Sequence, residues 1–171
     1  KIFLILISLL FLSHNVNSEE FEITASKIKF IDDDKKILAN GNVVATSNDG
    51  LIINADEIIY DKNKNTLRAK GSILIKDQTK NNTIKAKNIL FKKNTEEIFS
   101  FGKTNLQFQN NFNIETKDIV YNRIDNTVLS NNFTSGIDKD GNKLSLENFI
   151  YHTQNYSLRS TGSIKLIDNL N

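Results

Sequence analysis

The sequence has 171 residues, which is the length of one ordinary domain. Its 22 basic and 20 acidic residues leave a net charge of +2, too small to indicate a surface for nucleic acid or for an anionic membrane. It contains no cysteine, so disulfide bonds cannot support the fold, and no proline, so no strand is interrupted by a missing N–H.

The first predicted element is a secretory signal peptide at residues 1–18. Lys1 precedes the apolar run IFLILISLLFL, and Val16 and Ser18 precede a plausible cleavage site before Glu19. A membrane anchor is the alternative, but this run is too short to span the ~30 Å of hydrocarbon in a bilayer. We therefore expect an exported domain at residues 19–171. Because the sequence has no initial Met and ends close to a predicted strand, we also expect the domain to be a truncated part of a longer protein.

A unit of about 30 residues occurs five times along the mature chain. In each unit an aromatic residue closes the first half, and an apolar residue stands two positions before it. Five copies in register predict a repetitive architecture. The aromatic residues are Phe30, Tyr60, Phe91, Tyr121 and Tyr151, and the apolar residues are Ile28, Ile58, Ile89, Ile119 and Phe149.

The second half of each unit is marked by glycine in four copies and by Asn132 in the other copy. Asn is the residue that best tolerates a positive φ after Gly. A small residue stands two positions before this marker, and an apolar residue four positions before it. The glycines are Gly41, Gly71, Gly102 and Gly162; the small residues are Ala39, Ala69, Ser100, Ser130 and Ser160; the apolar residues are Ile37, Leu67, Ile98, Val128 and Leu158.

The two halves of a unit differ in how their apolar residues alternate. Every second residue from Leu67 to Ile75, including Ile73, is apolar or small, which predicts one continuous strand with one apolar face. In the first half the alternation changes parity at Asp56–Glu57, and the same change recurs in the other copies. A bulge or bend there returns both apolar pairs to one interior.

One such hairpin is marginal in water, so the units must cover each other's apolar faces. The predicted fold is all-β, a solenoid-like stack of five two-strand repeats that forms two facing sheets around one apolar interior. Exposed strands near residues 21–30 and 158–167 end the stack, and exposed edges are available for pairing. The repeated small residues either let the sheets pack closely or leave room for a ligand.

The chain offers little catalytic or metal-binding chemistry. His152 is the only histidine of the mature chain, and one histidine does not make a His-rich zinc site. The segment DKDGNKLSLE, residues 138–147, places its Gly and Glu two positions too early for a calcium loop and is better explained as a hairpin turn. There is no GxSxG motif and no phosphate-binding Gly loop. We expect no enzymatic activity, metal or cofactor.

Three segments, LANGNVVA (38–45), INADEIIYD (53–61) and LRAKGSILI (67–75), resemble a known family. They are similar to the organic-solvent-tolerance (OstA) family of lipopolysaccharide transport, whose pattern is roughly A-D-x-I-x-Y, a polar turn, then A-x-G-x-V. The family includes the periplasmic protein LptA and the N-terminal domain of the outer-membrane assembly protein LptD. The resemblance weakens in the fourth unit, where Thr116 and Asn132 replace Ala and Gly, and in the first half of the fifth.

The resemblance implies a β-jellyroll, or "β-taco", whose interior groove holds the acyl chains of lipopolysaccharide. It also implies a location in the periplasm, alone or as part of an outer-membrane protein, and partner domains of the same kind joined end to end by strand pairing. The alternative is a structural β-solenoid, such as an adhesin-like stalk, with a fully packed interior. The residues expected to line the groove are Ile28, Phe30, Ile37, Ala39, Ile58, Tyr60, Leu67, Ala69, Ile73, Ile89, Phe91, Ile98, Ser100, Ile119, Tyr121, Val128, Phe149, Tyr151 and Leu158.

Overall fold

A computed structural model describes residues 21–108 and 112–169. The predicted signal peptide at residues 1–18 lies outside the described residues. A 3-10 helix at Lys93–Thr95 interrupts an otherwise extended chain. The strands are β1 Glu22–Thr24, β2 Lys27–Ile31, β3 Lys36–Thr46, β4 Leu51–Asp61, β5 Thr66–Asp77, β6 Asn82–Lys92, β7 Glu97–Ser100, β8 Lys103–Phe108, β9 Phe112–Lys117, β10 Ile119–Asn122, β11 Thr127–Ser130, β12 Thr134–Asp138, β13 Lys143–Leu146, β14 Phe149–His152, β15 Ser157–Arg159 and β16 Ile164–Ile167.

The prediction of an all-β fold is confirmed, because all of these strands belong to one antiparallel sheet. The two facing sheets expected from the sequence are two layers of this single, strongly curled sheet. In the first layer the order is β2-β3-β4-β5-β6-β7-β10-β11-β14-β15, and in the second it is β1-β3-β4-β5-β6-β8-β9-β12-β13-β16. Strands β3 to β6 therefore belong to both layers.

The long strands bend where they pass from one layer to the other. The pairing register of β3 with β4 shifts between Asn40 and Val43, and that of β4 with β5 shifts between Asn54 and Glu57. The bend predicted at Asp56–Glu57 is therefore confirmed. We call this line of bends the spine, and the opposite side, where the turns of the two layers face each other, the mouth.

Beyond β6 the described strands no longer cross the spine. Each long strand is replaced by two short ones, such as β7 and β8 on either side of Phe101–Gly102. Some of the backbone groups at this interruption bond to side chains, and others keep backbone partners. Asp118 Oδ1 accepts a hydrogen bond of 2.7 Å from the backbone N–H of Gly102, and Asn148 Oδ1 accepts one of 2.9 Å from Thr161.

The repeated marker position does not have one backbone conformation. Gly41, Gly71 and Gly102 have positive φ angles of 77°, 99° and 81°, as a tight bend requires. Asn132 does not, although Asn is the natural substitute for Gly at such a position. Its side-chain amide instead donates a hydrogen bond of 3.2 Å to the carbonyl of Lys117, which the interrupted ladder leaves free.

The turns of the first layer are stacked on each other along the mouth. The backbone N–H of Lys62 donates to the carbonyl of Lys35, and that of Lys93 donates to the carbonyl of Asn65, both at 2.9 Å. The same bond recurs at the next two turns, at 3.0 and 2.8 Å. The hydrogen-bonded stack of repeats therefore continues beyond the strands into their loops.

The apolar core lies between the layers and extends from Phe21 to Phe149. It is built from the inward residues of both layers, because side chains alternate between the two faces of each strand. Within the described residues, no helix has the length and apolar character needed to cross a membrane.

Candidate functional site

Most of the residues predicted to line a groove are buried together between the layers. Ile28 and Phe30 are the exceptions, with exposed fractions of 39% and 57%, and Tyr151 and Leu158 are half-buried at the edge of the core. The buried residues are Ile37, Ala39, Ile58, Tyr60, Leu67, Ala69, Ile73, Ile89, Phe91, Ile98, Ser100, Ile119, Tyr121, Val128 and Phe149.

The predicted set describes mainly one wall of the interior. Apart from Ile73, its members lie on the first layer, and the second layer supplies a matching wall that the predicted set leaves out. That wall includes Ile53, Ile84 and Ile114, which are buried and which recur at one position of the repeat. The same periodicity that identified the first wall therefore contained the signal for the second.

The small residues beside the spine are inaccessible to water. Ala39, Ala69, Ser100 and Ser130 have exposed fractions of 0–2%. The two serines also hydrogen-bond to the backbone: the Ser100 hydroxyl accepts from the N–H of Ile119 at 3.1 Å, and the Ser130 hydroxyl donates to a carbonyl at 2.6 Å. At the interrupted part of the spine, a small polar residue therefore replaces bonds that a continuous strand would make.

Hydroxyl groups from both layers meet at this part of the spine. The hydroxyl oxygens of Ser100 and Thr104 are 2.6 Å apart, and Thr134 donates to the Thr116 hydroxyl at 2.8 Å. The Thr116 hydroxyl donates in turn to Ser130 at 3.1 Å. All of these side chains are buried, so each hydroxyl depends on its neighbours for hydrogen bonding.

Aromatic rings close the mouth at its N-terminal side. Phe21, just before the second-layer strand β1, is 1% exposed. Its ring meets Tyr60 and Phe91 of the first layer edge to face, with centroid distances of 5.5 and 5.9 Å. This geometry is favourable for aromatic pairs and excludes water from that end of the mouth.

In the middle of the mouth, Arg123 joins the turns of the two layers. Its Nε donates to Asp77 Oδ2 at 2.9 Å, and its Nη1 donates to Asp49 Oδ2 at 2.9 Å. The side chains of Arg123 and Asp77 are 7% and 1% exposed. Tyr121 also donates its hydroxyl to Asp77 Oδ2, at 2.8 Å. A buried guanidinium and a buried carboxylate thus hold the two layers together.

Two further charged residues extend this network toward solvent. Lys93 Nζ lies 3.2 Å from Asp49 Oδ2 and 2.6 Å from Glu96 Oε1, and Glu96 also pairs with Arg123. We call Asp49, Asp77, Lys93, Glu96 and Arg123 the clasp. It connects a first-layer turn at 93–96 and the next at 123–126 with the second-layer turn that contains Asp49 and with Asp77, the last residue of β5.

The clasp shifts the pKa of each buried partner. Burial opposes ionisation of Asp77, but hydrogen bonds from Thr79, Arg123 and Tyr121 outweigh it and hold the pKa of Asp77 below its ordinary value. The pKa of Asp49 is lowered in the same way, with burial outweighed by hydrogen bonds from Ser47 and Arg123. Burial and the nearby Asp77 carboxylate raise the pKa of Tyr121. Asp49 and Asp77 are therefore ionised near neutral pH, and Tyr121 keeps its proton.

The C-terminal side of the mouth is again closed by aromatic rings. Phe108 of the second layer stacks on Tyr151 of the first, with centroids 4.2 Å apart. Between this pair and the clasp lies Asn82, whose amide donates to the Tyr121 hydroxyl at 3.4 Å. Its carbonyl oxygen is buried and has no hydrogen-bond partner among the described residues. The mouth therefore has an ionic centre between two aromatic ends.

The clasp was not predicted from the sequence, although part of its pattern is visible there. Lys93 and Arg123 each stand two positions after the aromatic residue of their unit. A recurring cation at an otherwise polar turn indicates a shared partner. That partner could not be identified, because Asp77 is 46 positions from Arg123 and lies at the end of a strand of the other layer.

At both ends of the stack the interior is open. Ile28 and Phe30 on β2 face inward, opposite Ala39 and Ile37, yet they are exposed. At the other end, Ile164 and Leu166 on β16 face inward and are 57% and 69% exposed. The edge strands predicted near 21–30 and 158–167 are therefore present, and each carries apolar side chains that no further strand of the described residues covers.

The remaining polar features do not form a metal site in the described part of the chain, where no group of three or more His, Asp or Glu side chains could hold an ion. Asp138 Oδ1 accepts hydrogen bonds of 2.9 Å from the N–H groups of Asp140 and Asn142. The segment 138–147 thus begins with the predicted hairpin turn, between β12 and β13. The Asp138 carboxylate, the first of this segment, already accepts hydrogen bonds from the backbone of the turn.

No protein-family model matches the chain, and no curated protein matches it either. Among solved structures, the chain is similar to LptH from Pseudomonas aeruginosa, described as the LptA-homologous periplasmic component of the conserved lipopolysaccharide transport device. The two share 13% identity over 86% of this chain and 93% of LptH, with a TM-score of 0.34. This likeness is too low to bear on function, which must be inferred from the chain's own residues.

Proposed function

We propose that this chain binds lipopolysaccharide, holds its acyl chains between the two layers, and passes it along an end-to-end assembly of similar domains in the periplasm. No bond is made or broken in this role, so it requires neither a catalytic residue nor a cofactor. The predicted signal peptide and the resemblance of three segments to the OstA family support the proposal. The chain would act as LptA does or as the N-terminal domain of LptD does.

The observation that carries the proposal is the exposure of inward-facing apolar residues at both ends of one core. A closed domain would cover Phe30 and Leu166, because exposing large apolar side chains costs roughly 25 cal/mol for each Å². Free strand edges lie beside them at β2 and β16. A second domain added at either edge would continue both the sheet and the apolar interior.

The packed middle of the core favours a second candidate, a structural stalk. Leu67, Ala69, Phe91 and Ile98 are buried to within 1% of their surface, as they would be in a permanently filled interior. In the transport role the layers must separate to admit an acyl chain, whereas in a stalk they never do. The two candidates therefore differ in whether lipid can be found inside.

Photo-crosslinking to lipopolysaccharide tests the proposal directly. A photo-reactive phenylalanine analogue at Phe91, which faces inward, should crosslink to the lipid in cells that make lipopolysaccharide. The same analogue at Phe99, an outward ring beside Lys92, is the matched control. Crosslinking at Phe91 but not at Phe99, with acyl chains found by mass spectrometry of an organic extract, would support transport. Equal crosslinking at Phe91 and Phe99 would favour the stalk. So would the absence of crosslinking at both positions together with an organic extract that contains no acyl chains.

End-to-end association is tested at the exposed edge. Ile164→Pro removes a backbone N–H from β16 and should weaken association with a second β-jellyroll domain while leaving the rest of the fold intact, because proline cannot donate to a ladder. Ile164→Val is the control, since it keeps the N–H and most of the apolar surface. If the folded proline variant associates as well as the control does, β16 is not the docking edge.

A further inference from the structure

The mouth runs along the stack opposite the spine, and in this structure it is shut. Phe21 closes one end of it, the stacked Phe108 and Tyr151 close the other, and the clasp closes the middle. A lipid that enters between the layers must therefore either thread through an open end or separate the mouth. The nature of each closing contact determines how easily it separates.

We propose that the clasp is a gate: its release lets the two layers separate at the mouth in the C-terminal half of the molecule, residues 93–108 and 112–169, while the N-terminal half stays closed. That the entering molecule is lipopolysaccharide rests on the proposed function. The gate itself is inferred from the contacts at the mouth and from the connections at the spine.

A buried ion pair is better suited to reversible closure than an apolar contact is. Separating Phe21 from Tyr60 exposes apolar surface and gains nothing in return. Separating Arg123 from Asp77 loses their attraction but returns both charges to water, which recovers a desolvation cost of similar size. The closed and open states of the clasp are therefore closer in free energy than those of the aromatic contact.

The spine decides which half can open. In the N-terminal half, β3 to β6 are continuous strands of 11 or 12 residues that pass through both layers and fix the angle between them. In the C-terminal half, short links such as Phe101–Gly102 replace them. Gly102 has a positive φ of 81°, and apart from its chain neighbours no atom of the described residues lies within 4 Å of where a Cβ would be. Hydrogen bonds to Asp118, rather than side-chain packing on this face of Gly102, hold the link. The layers there can rotate about the spine.

The hydroxyl groups at the interrupted spine are consistent with such a hinge. Thr116, Ser130 and Thr134 hydrogen-bond to each other rather than interlocking large side chains. Hydroxyl groups can exchange partners by rotation at little cost, whereas close-packed apolar side chains resist a change of angle. These hydroxyl groups and the clasp therefore lie on opposite sides of the interior: the hydroxyl groups are at the spine, and at the mouth Arg123 of the C-terminal half meets Asp77 of the N-terminal half.

Thiol labelling measures the opening without any lipid. The chain has no cysteine, so one introduced thiol is the only reactive one. Leu67→Cys and Val128→Cys occupy the same repeat position, and both native side chains are buried to within 1%. With the clasp intact, we expect Val128→Cys to react with a thiol reagent about tenfold faster than Leu67→Cys, because opening is a local equilibrium.

The clasp is then removed without leaving an unpaired buried charge, by combining Asp77→Asn with Arg123→Gln. We expect labelling of Val128→Cys to rise by a further factor of about ten and labelling of Leu67→Cys to stay within about twofold. Lys93→Met removes a partly exposed residue of the clasp and should give a smaller rise in the labelling of Val128→Cys. It replaces the double variant in this experiment if the double variant does not fold. Equal acceleration at both positions, or at neither, would overturn the gate.

Uptake of fluorescently labelled lipopolysaccharide separates the gate from the proposed function. If both hold, the double variant takes up the lipid faster than the wild type and reaches the same final occupancy. Faster labelling of Val128→Cys with no lipid uptake would support the gate hypothesis and contradict the proposed transport function. Lipid uptake at an unchanged rate, with labelling unchanged, would keep the transport role and reject the gate.

Discussion

The two halves of this molecule use one repeat to build two different connections between the layers. In the N-terminal half, Ala39 and Ala69 stand beside the spine and the strands run through it. In the C-terminal half, Ser100 and Ser130 occupy the same positions and the strands are interrupted. An alanine beside a continuous ladder has no hydrogen bond to supply, whereas a serine beside an interrupted ladder replaces one. The apolar pattern thus determines which side chains fill the interior. The residues beside the spine differ according to whether the strands there are continuous or interrupted.

The largest effect is expected where the halves meet at the clasp. Arg123→Met should lower the free energy of unfolding by about 3–5 kcal/mol, because it leaves the Asp77 carboxylate buried without a cation. Arg68→Met, at an exposed position of β5, is the control and should change little. Urea unfolding of both variants would measure this, and a loss below about 1 kcal/mol for Arg123→Met would show that the pair is hydrated in solution.

Ala69→Phe tests how closely the N-terminal half is packed. Since Ala69 is 1% exposed, we expect the added ring to lower the free energy of unfolding by about 1–3 kcal/mol and to abolish lipid crosslinking. Ser100→Phe should cost more, because it also removes the hydrogen bond to the N–H of Ile119. Thermal melts of the lipid-free variants would measure both. A destabilised Ala69→Phe that still crosslinks would mean that acyl chains do not lie against this strand.

Exchanging alanine and serine between the halves sharpens the comparison. Ser130→Ala should cost about 1–3 kcal/mol, because the carbonyl of Lys117 and the hydroxyl of Thr116 lose a buried partner. Ala69→Ser should be unfavourable for the opposite reason, because it buries a hydroxyl beside a complete ladder. Chemical unfolding of the two variants would compare them. If either substitution is neutral, the spine positions of the two halves are interchangeable.

The smallest effect is expected from acid. The pKa values of Asp49 and Asp77 are lowered in the folded protein from a value of 3.8, so protonation favours the unfolded chain. The stability that these groups provide is fully present above about pH 5 and is lost as the pH falls through their lower folded values. The cations that face them are Arg123 and Lys93. Unfolding of wild type and of the Asp77→Asn, Arg123→Gln variant from pH 6 to 2 should show a shallower acid loss in the variant, and parallel profiles would contradict this.

The repeat made the fold and most of the interior predictable. Parity placed residues such as Ile58 and Val128 on the inner face because a strand leaves only two faces to choose from. The exposure of Phe30 was not predictable from the same rule. Its repeat position is buried in the middle units, but β2 is an edge strand, and within residues 21–108 and 112–169 no strand lies on its other side to cover it.

The clasp was beyond sequence reasoning for a different reason. The repeat specifies which residues follow one another along a layer, but it does not specify how far the turns of one layer are offset from those of the other. That offset depends on the twist and curl accumulated over the strands. It brings Arg123 to Asp77 rather than to a turn nearer in sequence. Asn132 shows a similar limit, since its tolerance for positive φ did not decide its conformation.

The stacked turns along the mouth fix the distance by which each repeat lengthens the molecule. Each repeat adds two strands, so each lengthens the stack by about 10 Å, and the bond between Arg123 N–H and the Glu96 carbonyl keeps successive turns at that spacing. Duplicating one complete repeat should therefore extend the interior by one such step with every side chain still on its proper face. An insertion of a single residue within a strand would instead reverse the faces that follow it. The length of the interior can therefore change only by whole repeats if every side chain is to stay on its proper face.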